Sequence, residues 1–583
     1  MDSPAKRRHS ISQKVQEVLL TANIIAECLD CGDRSVYLPH ITNCPQCGSL
    51  WRQARYDYPS LSQTLPALIA RRPFDLWRYR ELLPVLDYNA SLSMGEGGTA
   101  LIHAKNLGMM LGCPYIFIKD ERQGPTSSFK DRQAAVNIAA LKEAGITEAV
   151  LASTGNVAIA YSAYAARAGI KLWAFLTSLV PAEKMREVAI YGTQVVKVTG
   201  SYDQAKQVAA EFARQRDLYL ERGARSIPSV EAMKTIAFEL AEQITALQGP
   251  PPGAGSNSSA DSQPGPIWRA PDWYFQSVSG GLGPLGVMKG FSELYLMGLT
   301  DRIPAVGIVQ AEGCSPMVHA WKQGLEVAEP IQSPRTHIAT LATGDPGRTY
   351  TLLRQSAQQY GGVFESASDE ETFRTMHILA KMEGISVEPA AAVAFAGLIK
   401  LARAGQINPE DTIVVNCTGH TMAIERTILG EGWARNVVIP SKTHLPEEGL
   451  LAALSRVTDD RFPRIAIVDD TLDARRLIRR ILQSQGNYTL FEAGNGREAI
   501  QLAKKELPDL IILDLMMPEI DGFAVLDALK ADPQTAPIPV IVVTAKELTV
   551  DEKERLRGQI HSLMQKGEFM NDELLDEVRA LVK

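Results

Sequence analysis

Short apolar runs typical of β-strands alternate with helical patterns from about residue 115 to residue 417. A chain that repeats strand, helix and strand in this way returns each strand in the same direction, which predicts parallel sheets covered by helices. This alternation restricts the region to an α/β fold of the size of a catalytic domain. The strand-like runs that carry the prediction are AVLAS, LWAFL, WYFQSV, AVGIVQA and TIVVN.

The end of the chain repeats the same pattern on a smaller scale. Five strand-like runs, each followed by a helical pattern, occupy residues 463–583: RIAIV, TLFEA, LIILD, PVIVV and IHSLM. We therefore predict a complete, doubly wound (βα)5 domain of the flavodoxin-like type.

Three segments are predicted to connect or flank these domains. Residues 1–27 begin as a basic stretch and are predicted to form a flexible tail. Residues 249–266 are rich in Pro, Gly and Ser, so they cannot bury enough apolar surface to become ordered, and we predict a disordered insertion. Residues 439–462 are predicted to be a linker, which leaves residues 53–438 as the α/β body.

The composition excludes some classes of function. The 583-residue chain has a formal net charge of -7, whereas nucleic-acid binders gather positive charge to neutralise phosphates. No apolar run approaches the roughly 18 residues that a membrane helix needs. We therefore expect a cytoplasmic protein with no nucleic-acid or membrane partner.

Two Cys-x-x-Cys pairs lie near the start of the chain, at Cys28 and Cys31 and at Cys44 and Cys47. Four thiolates at this spacing can form the tetrahedron that Zn²⁺ accepts in a structural site, so residues 28–52 are predicted to be a zinc ribbon. With four sulfur ligands no position remains open for a substrate. Free thiols or a redox pair are the alternative interpretation.

Lys130 lies in the stretch GPTSSFKDR, before an amphipathic helical pattern at Gln133–Ala144. It should therefore lie near a helix N-terminus, where the macrodipole disfavours a cation. A lysine amine becomes a covalent catalyst when it forms a Schiff base, and pyridoxal phosphate is the cofactor that requires one. The alternative is a lysine at the start of an ordinary surface helix.

A glycine-rich stretch follows the strand-like run WYFQSV and begins a helix, so its backbone N–H groups could hold a phosphate. Its spacing also fits the dinucleotide-binding fingerprint, with Glu312 placed where a ribose-binding acid would be needed. Taken alone, the stretch leaves both ligands open. Its residues are Ser279, Gly280, Gly281, Leu282 and Gly283.

Five motifs together resemble the fold-type II pyridoxal phosphate enzymes: SSFKDR, ASTGN, SGGLG, EPAAA and VVNCTGH, in that order. Within this class the sequence resembles threonine synthases, in SMGEGGTAL, in EAMKTIAFE and in the cysteine pairs, which some members carry as a zinc ribbon. The resemblance covers about residues 28–435. It implies a body with two parallel-sheet lobes and favours pyridoxal phosphate over a dinucleotide.

Carried over by position, the resemblance implies that Lys130 holds the cofactor covalently and that Asn156 contacts its phenolic oxygen. The residues from Ser279 to Gly283 would bind its phosphate. Thr418 would lie opposite its ring nitrogen, where a hydroxyl favours elimination or replacement over transamination. The freed lysine would then move protons on an amino-acid substrate.

Several positions depart from the threonine synthase pattern, namely Gly124, Val157 and the stretch Thr421–Ala423. Valine cannot donate a side-chain hydrogen bond to a substrate carboxylate. The resemblance implies a lyase that forms L-threonine and phosphate from O-phospho-L-homoserine and water. Elimination or replacement on another amino acid, and a non-catalytic cofactor-binding sensor, are the alternatives. Because type II relatives are commonly dimers, we expect a homodimer.

Three carboxylates are placed at one edge of the C-terminal domain, at the ends of its first and third predicted strands: Asp469, Asp470 and Asp514. Carboxylates so close together repel each other unless a cation binds, and Mg²⁺ prefers oxygen ligands. Thr544 and Lys566 end the fourth and fifth predicted strands on the same edge.

This set of residues resembles response-regulator receiver domains. The resemblance implies that Asp514 accepts a phosphoryl group, that Asp469 and Asp470 position Mg²⁺, and that Thr544 and Lys566 bind the phosphoryl oxygens. The implied partner is a sensor histidine kinase or a phosphotransfer protein. We expect phosphorylation to change the activity or assembly of the enzyme, as part of a two-component system.

Overall fold

A small antiparallel sheet begins the part of the chain that the computed structural model describes, which comprises residues 24–86, 88–153, 155–177, 180–199, 202–251, 266–420, 463–485, 488–546, 548–566 and 573–582. Its strands are β1 (Ile25–Cys28), β2 (Arg34–Val36) and β3 (Arg52–Arg55), with β1 in the centre. The prediction of a flexible tail up to residue 27 is wrong at its end, because residues 25–27 pair with both neighbouring strands. Residues 1–23 lie outside the described part.

Two mainly parallel sheets form the region that follows. The larger sheet has the strand order β12-β11-β10-β13-β5-β4, and the smaller has the order β8-β7-β6-β9. Only the edge strand β4 is antiparallel to its neighbour among the paired strands of these two sheets. The predicted α/β fold with two parallel-sheet lobes is confirmed. The strands are β4 (Leu101–His103), β5 (Ile116–Asp120), β6 (Glu148–Ser153), β7 (Lys171–Thr177), β8 (Gln194–Val198), β9 (Tyr219–Leu220), β10 (Trp273–Ser277), β11 (Ala305–Ala311), β12 (Gly362–Ala367) and β13 (Ile413–Cys417).

Helices cover both sheets and enclose separate apolar cores in the two lobes. The segments 252–265 and 421–462, which include most of the predicted insertion and the whole predicted linker, lie outside the described residues. The helices are α1 (Tyr58–Ile69), α2 (Lys105–Leu111), α3 (Lys130–Glu143), α4 (Asn156–Ala168), α5 (Ala182–Ile190), α6 (Tyr202–Arg216), α7 (Ile227–Gln248), α8 (Leu282–Leu296), α9 (Pro316–Lys322), α10 (Arg348–Tyr360), α11 (Asp369–Ile378) and α12 (Pro389–Arg403). A π-helical turn at Leu379–Glu383 follows α11 directly.

Helix α3 departs from the amphipathic pattern expected of it, because its residues from Asp131 to Leu141 are all buried. The helix packs against both α4 and α7, so it has no face left for water. Most of its polar side-chain groups have hydrogen-bond partners inside the protein, although Gln133 Oε1 has none among the described residues. Asn137 Nδ2, for example, donates to Ser229 Oγ over 2.6 Å.

Four buried charged side chains join β5, α3 and α7. Arg132 donates to Glu239 Oε1 at 2.5 Å and to Glu121 Oε1 at 2.7 Å, and Lys119 Nζ donates to Glu239 Oε2 at 2.6 Å. Burial opposes the ionisation of Glu239, but the two cations outweigh it and hold the pKa of this carboxyl at about 2. The network fixes α3, and with it Lys130, against the strand of the larger sheet beside it.

The C-terminal domain has the strand order β15-β14-β16-β17-β18, all parallel. This order is that of the flavodoxin-like (βα)5 fold, so the prediction for residues 463–583 is confirmed in the described part. The strands are β14 (Arg464–Val468), β15 (Thr489–Ala493), β16 (Leu510–Leu513), β17 (Val540–Thr544) and β18 (Ser562–Gln565), and the helices are α13 (Leu472–Gln485), α14 (Gly496–Glu506), α15 (Gly522–Ala531), α16 (Val550–Leu556) and α17 (Glu573–Leu581).

Among the helices that the structure describes, none is both long enough and apolar enough to cross a lipid bilayer.

Candidate functional site

A cavity of about 630 Å³ receives residues from both lobes of the α/β body. Every residue predicted to contact pyridoxal phosphate lines it, although the sequence spreads them over almost 300 positions. Those that follow β10 and β13 meet because the carboxyl ends of parallel strands share one edge of the larger sheet, whereas Asn156 comes from the end of β6 in the smaller sheet and Lys130 from the start of α3. These residues are Lys130, Asn156, Ser279, Gly280, Gly281, Leu282, Gly283 and Thr418.

Lys130 is the first residue of α3, and the loop before it is tied to the end of β13. The Phe129 N–H donates to the Thr418 carbonyl oxygen at 3.0 Å, and the His420 N–H donates to the Ser127 carbonyl oxygen at 3.0 Å. These bonds place the lysine beside Thr418. Its Nζ lies 4.2 Å from the centre of the Phe129 ring.

The Lys130 amine has an altered pKa. Burial lowers its pKa to about 8, and the carboxylates of Glu221 and Glu388 limit the fall. Within the described residues its Nζ makes no hydrogen bond or ion pair. The site therefore offers a partly neutral amine that no described residue holds by a hydrogen bond.

Asn156 begins α4 and is held from two sides. Its Nδ2 donates to Glu388 Oε1 at 2.8 Å, and its Oδ1 accepts from Lys184 Nζ at 2.8 Å. Lys184 Nζ also lies 3.4 Å from Glu388 Oε2. Sequence reasoning missed both partners: Glu388 was visible only as part of the EPAAA motif, and no motif contains Lys184.

The glycine-rich loop between β10 and α8 fits an anionic group. Gly281 has a φ of +85°, and a Cβ there would lie 2.8 Å from Thr349 Cγ2, so only glycine is tolerated. A Cβ at Gly280 would meet no atom within 4 Å, so this residue borders open space. The loop leads into the N-terminus of a 15-residue helix, where backbone N–H groups attract a phosphate. Ser279 and Thr343 share a hydrogen bond between their hydroxyls.

Glu312 does not support the dinucleotide interpretation of this loop. It is exposed, in the short turn after β11, and does not line the cavity. A ribose-binding acid would have to face the same cavity as the phosphate loop.

The structure describes two of the positions that depart from the threonine synthase pattern, Gly124 and Val157. At Gly124 a Cβ would lie 2.3 Å from Asp131 Oδ2, so the Asp131 carboxylate fills the space of a larger side chain. That carboxylate accepts from the Thr126 N–H at 2.9 Å, and burial raises its pKa to about 6. Val157 lines the cavity. Thr421, Met422 and Ala423 lie outside the described residues.

The sulfur atoms of the four predicted zinc ligands lie within 4.8 Å of one another. Cys28 Sγ is 3.6 Å from Cys47 Sγ, and Cys31 Sγ is 3.7 Å from Cys44 Sγ. A zinc–thiolate tetrahedron with bonds of about 2.3 Å has edges of about 3.8 Å, so the cluster fits this metal. Trp51, in the same unit, lines the cavity that contains Lys130.

The five predicted phosphorylation-site residues of the C-terminal domain lie at the carboxyl edge of its sheet. Carboxylate oxygens of Asp469, Asp470 and Asp514 lie within 4.8 Å of one another, which suits a cation with oxygen ligands. Lys566 Nζ is 2.6 Å from Asp514 Oδ2 and 2.7 Å from Asp469 Oδ2. Burial opposes the charge on Lys566, but these ion pairs raise its pKa. Thr544, which ends β17, is buried.

The fold and the cavity define a cofactor-dependent α/β enzyme joined to a smaller (βα)5 domain with an acidic cluster at its carboxyl edge. A family model described as "Pyridoxal-phosphate dependent enzyme" matches residues 92–419, and the chain belongs to this family. A second family model, "Response regulator receiver domain", matches residues 465–579. The predicted cofactor and the predicted receiver domain are thereby confirmed.

The curated relatives include several threonine synthases. The threonine synthase of Methanocaldococcus jannaschii is 31% identical over 399 residues, which are 68% of this chain and 92% of that protein. That of Methanosarcina acetivorans is 31% identical over 404 residues, 69% of this chain and 93% of that protein. That of Mycobacterium tuberculosis is 29% identical over 369 residues, 63% of this chain and 93% of that protein. The prediction of a threonine synthase-like, pyridoxal phosphate-dependent lyase is confirmed at this level.

Proposed function

We propose that the α/β body converts O-phospho-L-homoserine and water into L-threonine and phosphate. The observation that carries this proposal is the coverage of the relatives: the match extends over nine tenths of the length of threonine synthases. The cavity supports it, since Lys130, Asn156, Thr418 and the glycine-rich loop line one volume.

Pyridoxal phosphate, when bound, supplies an aldehyde for a lysine amine and a ring that stabilises negative charge on the substrate. The backbone N–H groups of the glycine-rich loop would hold its phosphate. Asn156 would contact its phenolic oxygen, and the Thr418 hydroxyl would contact its ring nitrogen. The Lys130 amine, with a pKa near 8, would take a proton from the α carbon of the substrate and return protons at neighbouring carbons. The Asn156 amide is kept in one orientation by Glu388 and Lys184.

A second reaction, elimination or replacement on another amino acid, is favoured by one observation. Val157 lines the cavity and has no side-chain donor for a substrate carboxylate or phosphate. A donor restored by Val157→Thr should lower the KM for O-phospho-L-homoserine if that compound is the substrate. If another amino acid is the substrate, this variant should leave turnover of O-phospho-L-homoserine absent.

The test of the main proposal is turnover by the full-length holoenzyme, measured as phosphate release and as threonine formation. Lys130→Ala should lower kcat by roughly a thousandfold or more, because it removes the group that transfers protons. Lys142→Ala is the matched control, since Lys142 is in the last turn of the same helix and its Nζ donates, among the residues that the structure describes, only to the Ala168 carbonyl oxygen. Wild-type protein that releases no phosphate from O-phospho-L-homoserine would contradict the proposal.

We further propose that the receiver domain regulates the enzyme through phosphorylation of Asp514. An Asp514 oxygen would form a bond to phosphorus as the bond from phosphorus to a histidine of a sensor kinase or phosphotransfer protein breaks. Mg²⁺ held by Asp469 and Asp470 would neutralise charge on the transferred group, together with Lys566 and the Thr544 hydroxyl. The proximity of Lys566 Nζ to Asp514 supports this assignment.

Acetyl phosphate with Mg²⁺ provides the test of this regulation. The wild-type chain should gain one phosphoryl group and change its turnover or its oligomeric state, whereas Asp514→Asn should do neither. Equal turnover and equal oligomeric state before and after phosphorylation would contradict the proposed regulation. The oligomeric state is measured by sedimentation. The value for the unphosphorylated protein also tests the homodimer that we propose.

A further inference from the structure

Helix α13, the first helix of the receiver domain, packs against the larger lobe of the enzyme. It contacts α2, α11 and the π-helical turn at Leu379–Glu383. Leu477 belongs to both sides of this contact: it packs against the receiver core and also against the apolar core of the larger lobe. We call the enzyme surface formed by α2, α11 and the π-helical turn the docking surface.

Two hydrogen bonds join the parts of the docking surface. Asn106 Nδ2 in α2 donates to the Met382 carbonyl oxygen at 2.5 Å, and the Leu107 N–H donates to Glu383 Oε1 at 2.6 Å. A π-helical turn is rare and commonly occurs at functional sites. The docking surface is therefore one connected unit. A displacement of α2 would move the π-helical turn through these two hydrogen bonds.

The docking surface is connected to the cavity by a short piece of chain. The residues Ile385 and Val387 after the π-helical turn are buried, and Arg122 fixes the segment by donating to the Ser386 carbonyl oxygen at 2.7 Å. The next residue is Glu388, which lines the cavity and accepts the hydrogen bond from Asn156. A shift of the π-helical turn would thus act on a residue that orients Asn156.

The other end of the connection is the acidic edge of the receiver domain. The Thr471 N–H donates to Asp469 Oδ1 at 2.8 Å, and α13 begins at the next residue, Leu472. Arg475, in the first turn of α13, donates to the Asp469 carbonyl oxygen at 2.6 Å. Asp469, whose carboxylate shares Lys566 with Asp514, is therefore connected to α13 without an intervening element.

We propose that the receiver domain controls the enzyme through the contact of α13 with the docking surface, and that this contact acts on the cavity through Glu388. The control of the enzyme in this inference rests on the proposed regulation. The contact between α13 and the docking surface can be tested without measuring turnover.

Hydrogen–deuterium exchange of the full-length holoenzyme tests the contact. Leu477→Glu should raise the exchange rates of residues 105–111 and 379–383 by about tenfold or more, because it removes the burial of one leucine side chain. Arg476→Ala is the matched control, since the Arg476 side chain on the same helix is 58% exposed. It should leave both segments unchanged. Unchanged exchange in Leu477→Glu, in protein whose receiver domain still accepts phosphate from acetyl phosphate, would overturn the inference.

A second variant lies on the enzyme side, in case Leu477→Glu unfolds the receiver domain. Asn106→Ala removes one of the two hydrogen bonds between α2 and the π-helical turn, and should raise exchange of α13 while phosphate uptake remains normal. Normal exchange of α13 in this variant would count against the contact.

Turnover separates this inference from the proposed regulation. If both variants raise exchange but acetyl phosphate leaves wild-type turnover unchanged, the contact stands and the regulation fails. If turnover responds to acetyl phosphate equally in wild type and both variants, the contact of α13 with the docking surface is not the route of control, and the proposed regulation stands.

Discussion

Asn156 Nδ2 donates a hydrogen bond to Glu388 Oε1 over 2.8 Å, and this bond joins the two lobes of the enzyme. Asn156 follows a strand of the smaller sheet, and Glu388 precedes a helix packed on the larger sheet. The two lobes on either side of the cavity are therefore joined by a side-chain hydrogen bond as well as by the backbone.

The first prediction concerns this bond. Glu388→Ala should weaken binding of pyridoxal phosphate by roughly tenfold, since one hydrogen bond to a charged acceptor is lost and the Asn156 amide is then held only by the bond from Lys184 that the structure describes. Glu388→Gln keeps an acceptor at the same place and should bind nearly as well as wild type. Titration of the cofactor-free protein, followed by absorbance, measures both dissociation constants. Equal weakening in the two variants would show that charge, and not orientation, is what matters.

The second prediction is a pH dependence. With a pKa of about 8 in place of the usual 10.5, about a tenth of the Lys130 amine is neutral at pH 7, against about one part in three thousand for an ordinary lysine. Only the neutral amine reacts with an aldehyde, so the rate of cofactor loading should rise with pH and level off above about pH 8. Stopped-flow absorbance of the cofactor-free protein gives this profile. A profile that is still rising at pH 10 would exclude the lowered pKa.

The third prediction concerns the cysteine cluster. Purified protein should contain one Zn²⁺ per chain, and Cys44→Ser should lose it, because a structural site requires all four ligands. Loss of the metal should also change the fluorescence of Trp51, which lies in the same unit. Cys113→Ser is the control, since Cys113 is buried away from the cluster. Full zinc content in Cys44→Ser would refute the assignment.

The fourth prediction concerns the buried charges under α3. Arg132→Met should lower the free energy of unfolding by about 3–5 kcal/mol, because it leaves the carboxylates of Glu121 and Glu239 buried without their shared cation. Arg214→Met removes an exposed ion pair and should leave the melting temperature unchanged. Thermal unfolding of both variants provides the measurement. A small effect of Arg132→Met would mean that Lys119 alone compensates Glu239.

The residues at strand ends could be predicted from the sequence, because parallel topology brings such ends together whatever the details of packing. Asn156 and Thr418, which follow β6 and β13, are of this kind, and so are the three aspartates of the receiver domain. Lys130 begins a helix instead, and it is identified by its motif. Each of their motifs contains polar or charged residue types that an ordinary strand end does not need.

The rest depends on contacts between distant segments. Lys184 lies on a helix with no motif, and it enters the site only because α5 packs beside α4. The sequence pattern of α3 predicted one exposed face, but α4 and α7 cover that face and buried partners satisfy most of its polar groups. The short strands β4 and β9 carry too few residues for a recognisable period.

Trp51 connects the cysteine unit to the enclosure of the site. A chain that began at Tyr56 would keep Lys130, the glycine-rich loop and both large sheets, but it would lose Trp51 from the lining of the cavity. The cysteine unit therefore cannot be removed without changing the surroundings of the reacting groups.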